Sequence, residues 1–283
     1  MNPSDSTRGS DGRLHLTKHH GAGNDFLVLV DAEGTAPLHP DLVRAACDRR
    51  FGVGADGVIR VTRGDGPADL VMELRNADGG VAEMSGNGMR CLAQAAVGAG
   101  LVPPTRFTVQ TLAGVKSVEY RPGAGTGADE ASVDMGRAVI DPEPPEGFPD
   151  GTARLVDMGN PHLVVLVPDV AAVAVEERGR KLQGDHPDGI NVEFIAVGPG
   201  RDAITLRVWE RGAGETLACG SGSAAAAAAA HGWGLVGDRV VVHNPGGSLL
   251  VRLAPEGIRL DGPVRKVASV VVDPVELLAA ARP

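Results

Sequence analysis

Aromatic residues, long apolar runs and targeting signals are all scarce or missing in this chain of 283 residues. Aromatic side chains make up only 3% of it, so the core has to be built mainly from Val, Leu, Ile and Ala. No apolar run reaches the roughly 18 residues that span a bilayer, and the polar N-terminus lacks the apolar segment of a signal peptide. We therefore expect a cytoplasmic protein without a membrane partner.

Positive charge is also in short supply. The chain has 27 Lys and Arg against 36 Asp and Glu, a formal net charge of −9, and no cluster of basic residues. Proteins that bind nucleic acid hold the phosphate backbone with such clusters. The composition therefore argues against a nucleic-acid partner and leaves a small molecule as the expected ligand.

Cysteine is rare, and the usual cofactor motifs are absent. The three cysteines, Cys47, Cys91 and Cys219, have no paired spacing, which argues against a disulfide framework or a zinc site. The first two lie in helix-like segments and are expected in the core. The "GVGADG" segment precedes a strand, whereas a dinucleotide-binding loop follows one, and no Walker A motif is present. We therefore expect neither a metal nor a cofactor.

Glycine, in contrast, is abundant, and the chain repeats itself. Short Val, Leu and Ile runs bounded by Gly, Pro, Asn or Asp predict many strands and few helices. Four blocks recur in the same order: "GNDFLVLV" matches "GNPHLVVLV", "ADGVIRV" matches "PDGINVEFIAV", "LVMELRNADG" matches "ITLRVWERGAG", and "SGNG" matches "CGSG". This repeat predicts two similar domains, 13–128 and 129–272, with a linker near 121–130. Residues 273–283 are expected to return to the first domain.

The last repeated block makes Ser85 and Cys219 equivalent, each just ahead of a Gly-x-Gly helix start. Free N–H groups and the positive end of the helix dipole can bind a carboxylate there. The same field is expected to lower the pKa of the Cys219 thiol and make it a proton acceptor or a nucleophile. Two such ends on opposite faces of an α-carbon would suit inversion. The simpler alternative is that Cys219 is an inert buried residue in a tight turn.

The ordered motifs "HGAGNDFLV", "RFGVGADG", "RNADGG", "SGNGMRC", "MGNPH", "GINVEF", "ERGAGETLACGSG" and "NPGG" make the chain resemble the diaminopimelate epimerase family. The resemblance implies an α+β fold of two pseudo-symmetric domains, each a β-barrel-like sheet around a central helix, with the active site in the interdomain cleft. It also implies conversion of LL- to meso-diaminopimelate for lysine and peptidoglycan synthesis. The reaction is a cofactor-independent two-base α-proton transfer, and a homodimer is a further expectation from the family.

The resemblance also assigns roles to single residues. In the family both proton-transferring residues are cysteines; here Cys219 matches the second, and Ser85 stands at the position of the first. The positions whose backbone amides hold the reacting carboxylate are Gly86, Asn87, Gly220 and Ser221. The positions that line the rest of the substrate site are Asn24, Asn76, Asn160, Asn191, Glu210 and Arg211. The planar fork of Arg211 suits the distal carboxylate, and His162 is expected to support the site.

Ser85 is the departure from the family pattern. A serine hydroxyl is a much weaker acid than a thiol and needs an adjacent base to react. Three explanations stay open: an engineered Cys→Ser replacement, a natural branch with a Ser/Cys pair, and a diverged reaction like the dehydration found among relatives of proline racemase. We predict an epimerase with impaired or asymmetric chemistry. The alternative is a disabled homologue that binds diaminopimelate or a similar amino acid, or a related racemase or dehydratase.

Overall fold

The protein is described by a computed structural model, which covers residues 12–124, 127–149 and 151–281. In chain order its elements are β1 (Leu14–Gly21), β2 (Asn24–Val30), α1 (Pro40–Cys47), β3 (Gly57–Arg63), β4 (Leu70–Asn76), β5 (Val81–Ala82), α2 (Gly86–Gly98), β6 (Arg106–Thr111), β7 (Gly114–Arg121), β8 (Asp129–Gly136), β9 (Val139–Ile140), β10 (Ala153–Asp157), β11 (Pro161–Leu166), α3 (Val175–Gly184), β12 (Asn191–Val197), β13 (Ala203–Glu210), β14 (Gly214–Thr216), α4 (Gly220–Gly232), β15 (Arg239–Asn244), β16 (Gly247–Ala254), β17 (Gly257–Val272) and α5 (Pro274–Ala280). A 3-10 turn, Val170–Ala172, precedes α3. None of the described helices is both long and apolar enough to cross a membrane.

The described residues form two compact units. The first contains the residues up to Gly21, Asp25–Ala131 and those from Pro263 onward; the second contains Ala22–Asn24 and Ser132–Gly262. The domain boundaries expected from the repeat stay a prediction, and residues 125 and 126 of the expected linker lie outside the described residues.

In the first unit, strands surround helix α2. Strand β2 pairs in parallel with β3, β3 is antiparallel to β4, β4 runs parallel to β6, and β6 is antiparallel to β7. Helix α2 packs against β1, β3 and β7, and its Met89, Cys91 and Leu92 are fully buried. Helices α1 and α5 pack against each other, and Leu277 and Leu278 of α5 contact the apolar core beneath them.

The second unit repeats this arrangement around helix α4. Strand β11 pairs in parallel with β12, β12 is antiparallel to β13, β13 runs parallel to β15, and β15 is antiparallel to β16. Helix α4 packs against all five of these strands and against β10. Its alanines, 224–230, are all buried, because only a methyl side chain lets strands approach a helix closely from several sides. The predicted fold of two similar barrel-like α+β domains, each around a central helix, is therefore confirmed.

The "NPGG" motif in the second unit forms a close backbone contact. A Cβ atom on Gly246 would lie 1.9 Å from the carbonyl oxygen of Ala22, so only glycine fits there. Ala22 itself has a positive φ of 54°, and Gly23 packs against Leu217. These contacts place the loop before Asn24 within the second unit.

Candidate active site

Ser85 caps the first turn of α2 in the first unit. Its backbone is extended, with φ −135° and ψ 123°, and its Oγ accepts a hydrogen bond of 3.0 Å from the Gly88 N–H. Serine is among the best residues for this N-cap role. The two following residues, Gly86 and Asn87, are buried, and their position in the first helical turn gives them N–H groups that the helix itself does not use.

A buried arginine, Arg90, contacts the first turn of α2. Arg90 is fully buried; its Nη2 donates to Asn87 Oδ1 over 2.7 Å, and its Nε donates to the Pro263 carbonyl over 3.3 Å. A Cβ atom on Gly21 would lie only 2.7 Å from Arg90 Nη2. Arg90 thus fixes the Asn87 side chain and places a positive charge beside the Gly86 carbonyl in the first turn of α2. The sequence analysis missed this role, although a lone charge in an otherwise apolar helix was the available signal.

Cys219 caps the first turn of α4 in the second unit, as Ser85 caps the first turn of α2 in the first unit. Its φ and ψ are −118° and 121°, and its Sγ accepts a hydrogen bond of 3.4 Å from the Gly222 N–H. The thiol is buried, and Ser221 Oγ lies 3.6 Å from Sγ. Gly220 and Ser221 supply the first-turn N–H groups of α4. The two helix starts therefore share one backbone conformation and one capping pattern, and differ in the capping atom.

The expected lowering of the Cys219 pKa is wrong. Burial raises the pKa of this thiol well above its ordinary value, and the charges of Glu210 and Glu193 raise it further. The Gly222 N–H and the Ser221 hydroxyl act in the opposite direction but do not outweigh the other effects. Because burial and the two nearby carboxylates all disfavour the thiolate, Cys219 rests as a protonated thiol, and its first available role is that of a proton donor.

Glu210 is the carboxylate that hydrogen-bonds the Cys219 side chain. It ends strand β13, and Thr216, at the end of β14, donates its hydroxyl proton to Glu210 Oε1. Burial raises the pKa of Glu210, whereas the bonds to Thr216 and Cys219 lower it. Burial thus raises the pKa of both Glu210 and Cys219, and their hydrogen bond places the carboxyl group where it can exchange a proton with the sulfur.

His162 and Glu193 form a second polar pair in the same unit. His162 Nδ1 lies 2.7 Å from Glu193 Oε1, and both side chains are completely buried. His162 Nε2 lies 3.0 Å from Asn160 Oδ1, and Asn160 Nδ2 lies 3.4 Å from Ser221 Oγ. These contacts join the pair to the Cys219 helix start. Glu193 was missed in the sequence, although a charged residue inside the apolar strand "NVEFIAV" was a usable signal.

Asn191 and Arg211 meet at the edge of this site. Asn191 Oδ1 accepts from the Arg211 backbone N–H over 2.9 Å, and Asn191 Nδ2 donates to the Pro161 carbonyl over 3.1 Å. Arg211 Nη1 contacts the Asp188 carbonyl at 3.5 Å, and the side chain passes so close to Gly189 that a Cβ atom there would lie 3.0 Å from Arg211 Cδ. Asn191 thus fixes the backbone from which Arg211 extends.

The predicted site residues divide between the two units. Those of the second unit are Asn24, Asn160, His162, Asn191, Glu210, Arg211, Cys219, Gly220 and Ser221. Those of the first unit are Asn76, Ser85, Gly86 and Asn87. Asn76 ends strand β4, and its backbone carbonyl and N–H form the turn that leads to Gly80. The substrate roles of all these residues stay predictions.

The two other cysteines belong to the core of the first unit. Burial raises the pKa of both thiols, Cys47 and Cys91, to about 12. Within the part of the chain that the structure describes, no group of three His, Cys, Asp or Glu side chains could hold a metal ion. An open depression of about 630 Å³ in the second unit is lined by α3 with Arg207 and Glu215, which pair with each other, and includes no member of the predicted site.

A family profile and curated bacterial relatives match most of this chain. The profile of the diaminopimelate epimerase family matches residues 16–140 and 154–267. The diaminopimelate epimerase of Desulforapulum autotrophicum is 39% identical over 84% of this chain and 90% of its own length, and that of Xylella fastidiosa strain M23 is 41% identical over 90% and 94%.

Solved structures show the same fold at lower identity. A hydroxyproline epimerase from Agrobacterium vitis superimposes with a TM-score of 0.73 at 18% identity, over 95% of each chain. A PhzF-family phenazine biosynthesis protein from Bacillus anthracis gives 0.71 at 15% identity, over 92% of this chain and 99% of its own. The resemblance expected from the ordered motifs is confirmed by the profile and the two bacterial relatives: this chain belongs to the diaminopimelate epimerase family.

Proposed function

We propose that this protein epimerises diaminopimelate at one α-carbon, between the LL and meso forms, without a cofactor. The observation that carries the proposal is the Cys219 thiol, which caps a glycine-rich helix start and is hydrogen-bonded to the half-buried Glu210. Family membership supports the reaction class and the substrate. A place in lysine and peptidoglycan precursor synthesis, a cytoplasmic location and a homodimer are parts of the same proposal.

The helix starts supply the electrostatic part of the reaction. Removing an α-proton leaves negative charge on the substrate carboxylate, and fixed N–H donors stabilise that charge in the transition state. Gly220 and Ser221 offer such donors in one unit, and Gly86 and Asn87 offer them in the other. Glycine at these positions lets the ligand approach the backbone closely.

The proton-transfer part is asymmetric. The Cys219 thiol is protonated in the resting protein and can deliver its proton to one face of the α-carbon, with Glu210 available to take up or return a proton at sulfur. The other face falls to Ser85, whose hydroxyl is a poor proton acceptor without a neighbouring base. We therefore expect slow epimerisation, with the step at the Ser85 face limiting the rate.

Isotope exchange tests this proposal. With LL- or meso-diaminopimelate in D₂O, the protein is expected to place deuterium at an α-carbon, because proton removal and return must pass through groups that exchange with solvent. Nuclear magnetic resonance detects the label, and chiral chromatography detects the accompanying change of configuration. Absence of label at both stereocentres after prolonged incubation would reject the proposal.

A disabled homologue that only binds the amino acid is the second candidate. The observation in its favour is the Ser85 hydroxyl, which accepts a hydrogen bond from the Gly88 N–H and gives up its proton far less readily than a thiol. Such a protein would gain stability from diaminopimelate, because a ligand that binds the folded state raises the melting temperature. A shift in melting temperature without isotope uptake would favour this candidate.

Arg211→Ala tests recognition of the distal carboxylate. Loss of a charge-assisted bond is expected to weaken diaminopimelate binding by roughly 10- to 100-fold, while 2-aminoheptanoate, which lacks that carboxylate, should lose little. Isothermal titration calorimetry with both ligands measures the difference. Arg207→Ala, which removes an arginine paired with Glu215, is the matched control and should not change the ratio of the two affinities. Equal losses for both ligands in Arg211→Ala would reject the assigned role.

A further inference from the structure

Helices α2 and α4 differ at their fifth residue. Each helix begins one residue after its capping residue, Ser85 or Cys219, so Arg90 of α2 is equivalent to Ala224 of α4. Both side chains are fully buried. The second unit therefore shows that a methyl group can fill this position, and the arginine of the first unit needs a reason other than packing.

The position of its guanidinium group makes Arg90 unfavourable for the helix that carries it. Side chains of a helix lean towards its N-terminus, and Arg90 Nη1 accordingly lies 3.4 Å from the Gly86 carbonyl oxygen in the first turn. The N-terminus is already the positive end of the helix dipole, and an arginine stays protonated in proteins. Arg90 thus adds positive charge to a positive end, an arrangement that disfavours the isolated helix and favours a bound anion.

The contact between Arg90 and Asn87 favours an anion in a second way. The N–H groups of Gly86 and Asn87 are the donors proposed to hold the substrate carboxylate. An asparagine side chain in the first turn can bend back and accept from such N–H groups itself. Arg90 Nη2 donates to Asn87 Oδ1 over 2.7 Å and keeps this oxygen occupied. Arg90 thereby removes one competitor of the proposed ligand.

Two strands hold the Arg90 side chain in place. Its Nε donates to the Pro263 carbonyl of β17 over 3.3 Å. Gly21, the last residue of β1, leaves space for Nη2, since a Cβ atom there would lie 2.7 Å from that nitrogen. Because the guanidinium is planar, fixing Nε also fixes the direction of Nη1 and Nη2 towards the first turn of α2.

We propose that Arg90 is a positioning residue for the substrate carboxylate: it occupies the side-chain oxygen of Asn87 and adds positive charge at the N-terminus of α2, so that this helix start stabilises the negative charge that develops on the substrate. This inference rests on the proposed function for its kinetic consequence. Arg90 acts through the first turn of α2 and does not touch the substrate. Because the charge on the carboxylate grows as the α-proton leaves, the effect is larger on kcat than on KM.

A thiol introduced by Ser85→Cys reports the positive charge without any substrate. In a Ser85→Cys/Cys219→Ser protein, the rate of alkylation by iodoacetamide follows the thiolate fraction, and peptide mass spectrometry locates the label at residue 85. Adding Arg90→Met should slow alkylation at pH 7 by about 10-fold and move the midpoint of the pH profile upward, because the thiolate loses a nearby positive charge. The limiting rate at high pH should change little, since it does not depend on the thiolate fraction.

Arg90→Met should also slow α-proton exchange when it is the only substitution. We expect kcat to fall by about 10-fold or more and KM to change by less than about threefold, because the charge acts mainly on the transition state. Deuterium uptake at the α-carbon gives both constants. Adding Asn87→Ala should recover part of the loss, because it removes the oxygen that competes for the N–H groups. A merely structural role for Arg90 predicts no such recovery.

Two further variants separate charge from shape. Arg90→Lys keeps the positive charge but not the planar fork, so the alkylation midpoint should stay close to that of the parent protein. Arg90→Gln has no charge but can still donate a hydrogen bond, and it replaces Arg90→Met should that variant not fold. It is expected to move the midpoint in the same direction as Arg90→Met.

Arg60→Met is the matched control. Arg60 is another largely buried arginine of the first unit, where it pairs with Asp31 and Glu73. Its replacement should lower the melting temperature but leave the alkylation midpoint at residue 85 unchanged and kcat within about twofold of the unaltered protein. This separates loss of stability from loss of positioning.

Two results would overturn the inference: an alkylation midpoint that does not move in folded Arg90→Met or Arg90→Gln, or a folded variant of either kind that exchanges the α-proton as fast as the unaltered protein. Failure of the proposed function is a different result, since it appears as no exchange in the unaltered protein. In that case the alkylation of residue 85 still decides whether Arg90 makes this helix start more positive.

Discussion

Replacing Ser85 by cysteine is expected to raise the rate of diaminopimelate epimerisation by about 10²- to 10⁴-fold, the contribution usual for a well-placed acid or base. A thiol gives up its proton far more readily than a hydroxyl, so the face that limits the reaction would gain a competent group. The measurement is the initial rate of conversion between the LL and meso forms, followed by chiral chromatography.

The structure supports this substitution at residue 85 on two grounds. Cys219 already caps a helix from nearly the same φ and ψ, so a cysteine fits the backbone. Glu193 packs against the first turn of α4, whereas the apolar Ile59 packs against the first turn of α2. The nearest buried charge along α2 is the positive charge of Arg90. A thiol at residue 85 would therefore meet fewer negative charges than Cys219 does.

Ser85→Ala is the control for the cysteine variant. It removes the cap without adding an acid, so it should cost about 1 kcal/mol of stability and bring no gain in rate. If Ser85→Cys folds and binds diaminopimelate but epimerises no faster than the unaltered protein, Ser85 is not the limiting residue.

The second large effect is expected for Cys219. Cys219→Ala should reduce α-proton exchange by about 10²- to 10⁴-fold, because in the proposed reaction the thiol delivers the proton on one face of the substrate. Deuterium uptake at the α-carbon measures the loss. Cys219→Ser should lose comparable activity while keeping the helix cap, since a hydroxyl replaces the thiol as acceptor of the Gly222 N–H.

Cys47→Ala provides the comparison for Cys219→Ala. Cys47 is a buried thiol in the core of the first unit, so its removal is expected to lower stability without affecting exchange. Exchange that persists at the unaltered rate in folded Cys219→Ala would rule out the thiol as proton donor.

Much of the fold was predictable because it depends on local patterns that occur twice. Gly-x-Gly after Ser85 and Cys219 marks two helix starts, and the repeated strand segments indicate two copies of one topology. The alanines of α4 likewise point to a helix that strands approach closely. None of these inferences requires knowledge of which distant residues meet.

The chemistry around Cys219 was harder to predict, because it depends on contacts between residues far apart in sequence. The helix start alone predicts a lowered thiol pKa, but burial of the thiol and the charges of Glu210 on β13 and Glu193 on β12 raise it instead. The support of Asn87 by Arg90 could only be inferred from a charge in an apolar helix. Sequence shows that these charges exist, whereas only the fold shows what they face.

The alanine helix α4 carries a final consequence for how this enzyme family can change. Methyl groups have no rotamers to rearrange, so the seven alanines between 224 and 230 cannot absorb a shift by repacking. The Cys219 thiol, which caps the N-terminus of α4, is therefore attached to one of the parts of the molecule that can adjust least. New substrate preferences would have to arise in the surrounding loops and strand ends, while the proposed reacting group, the Cys219 thiol, stays where the backbone holds it.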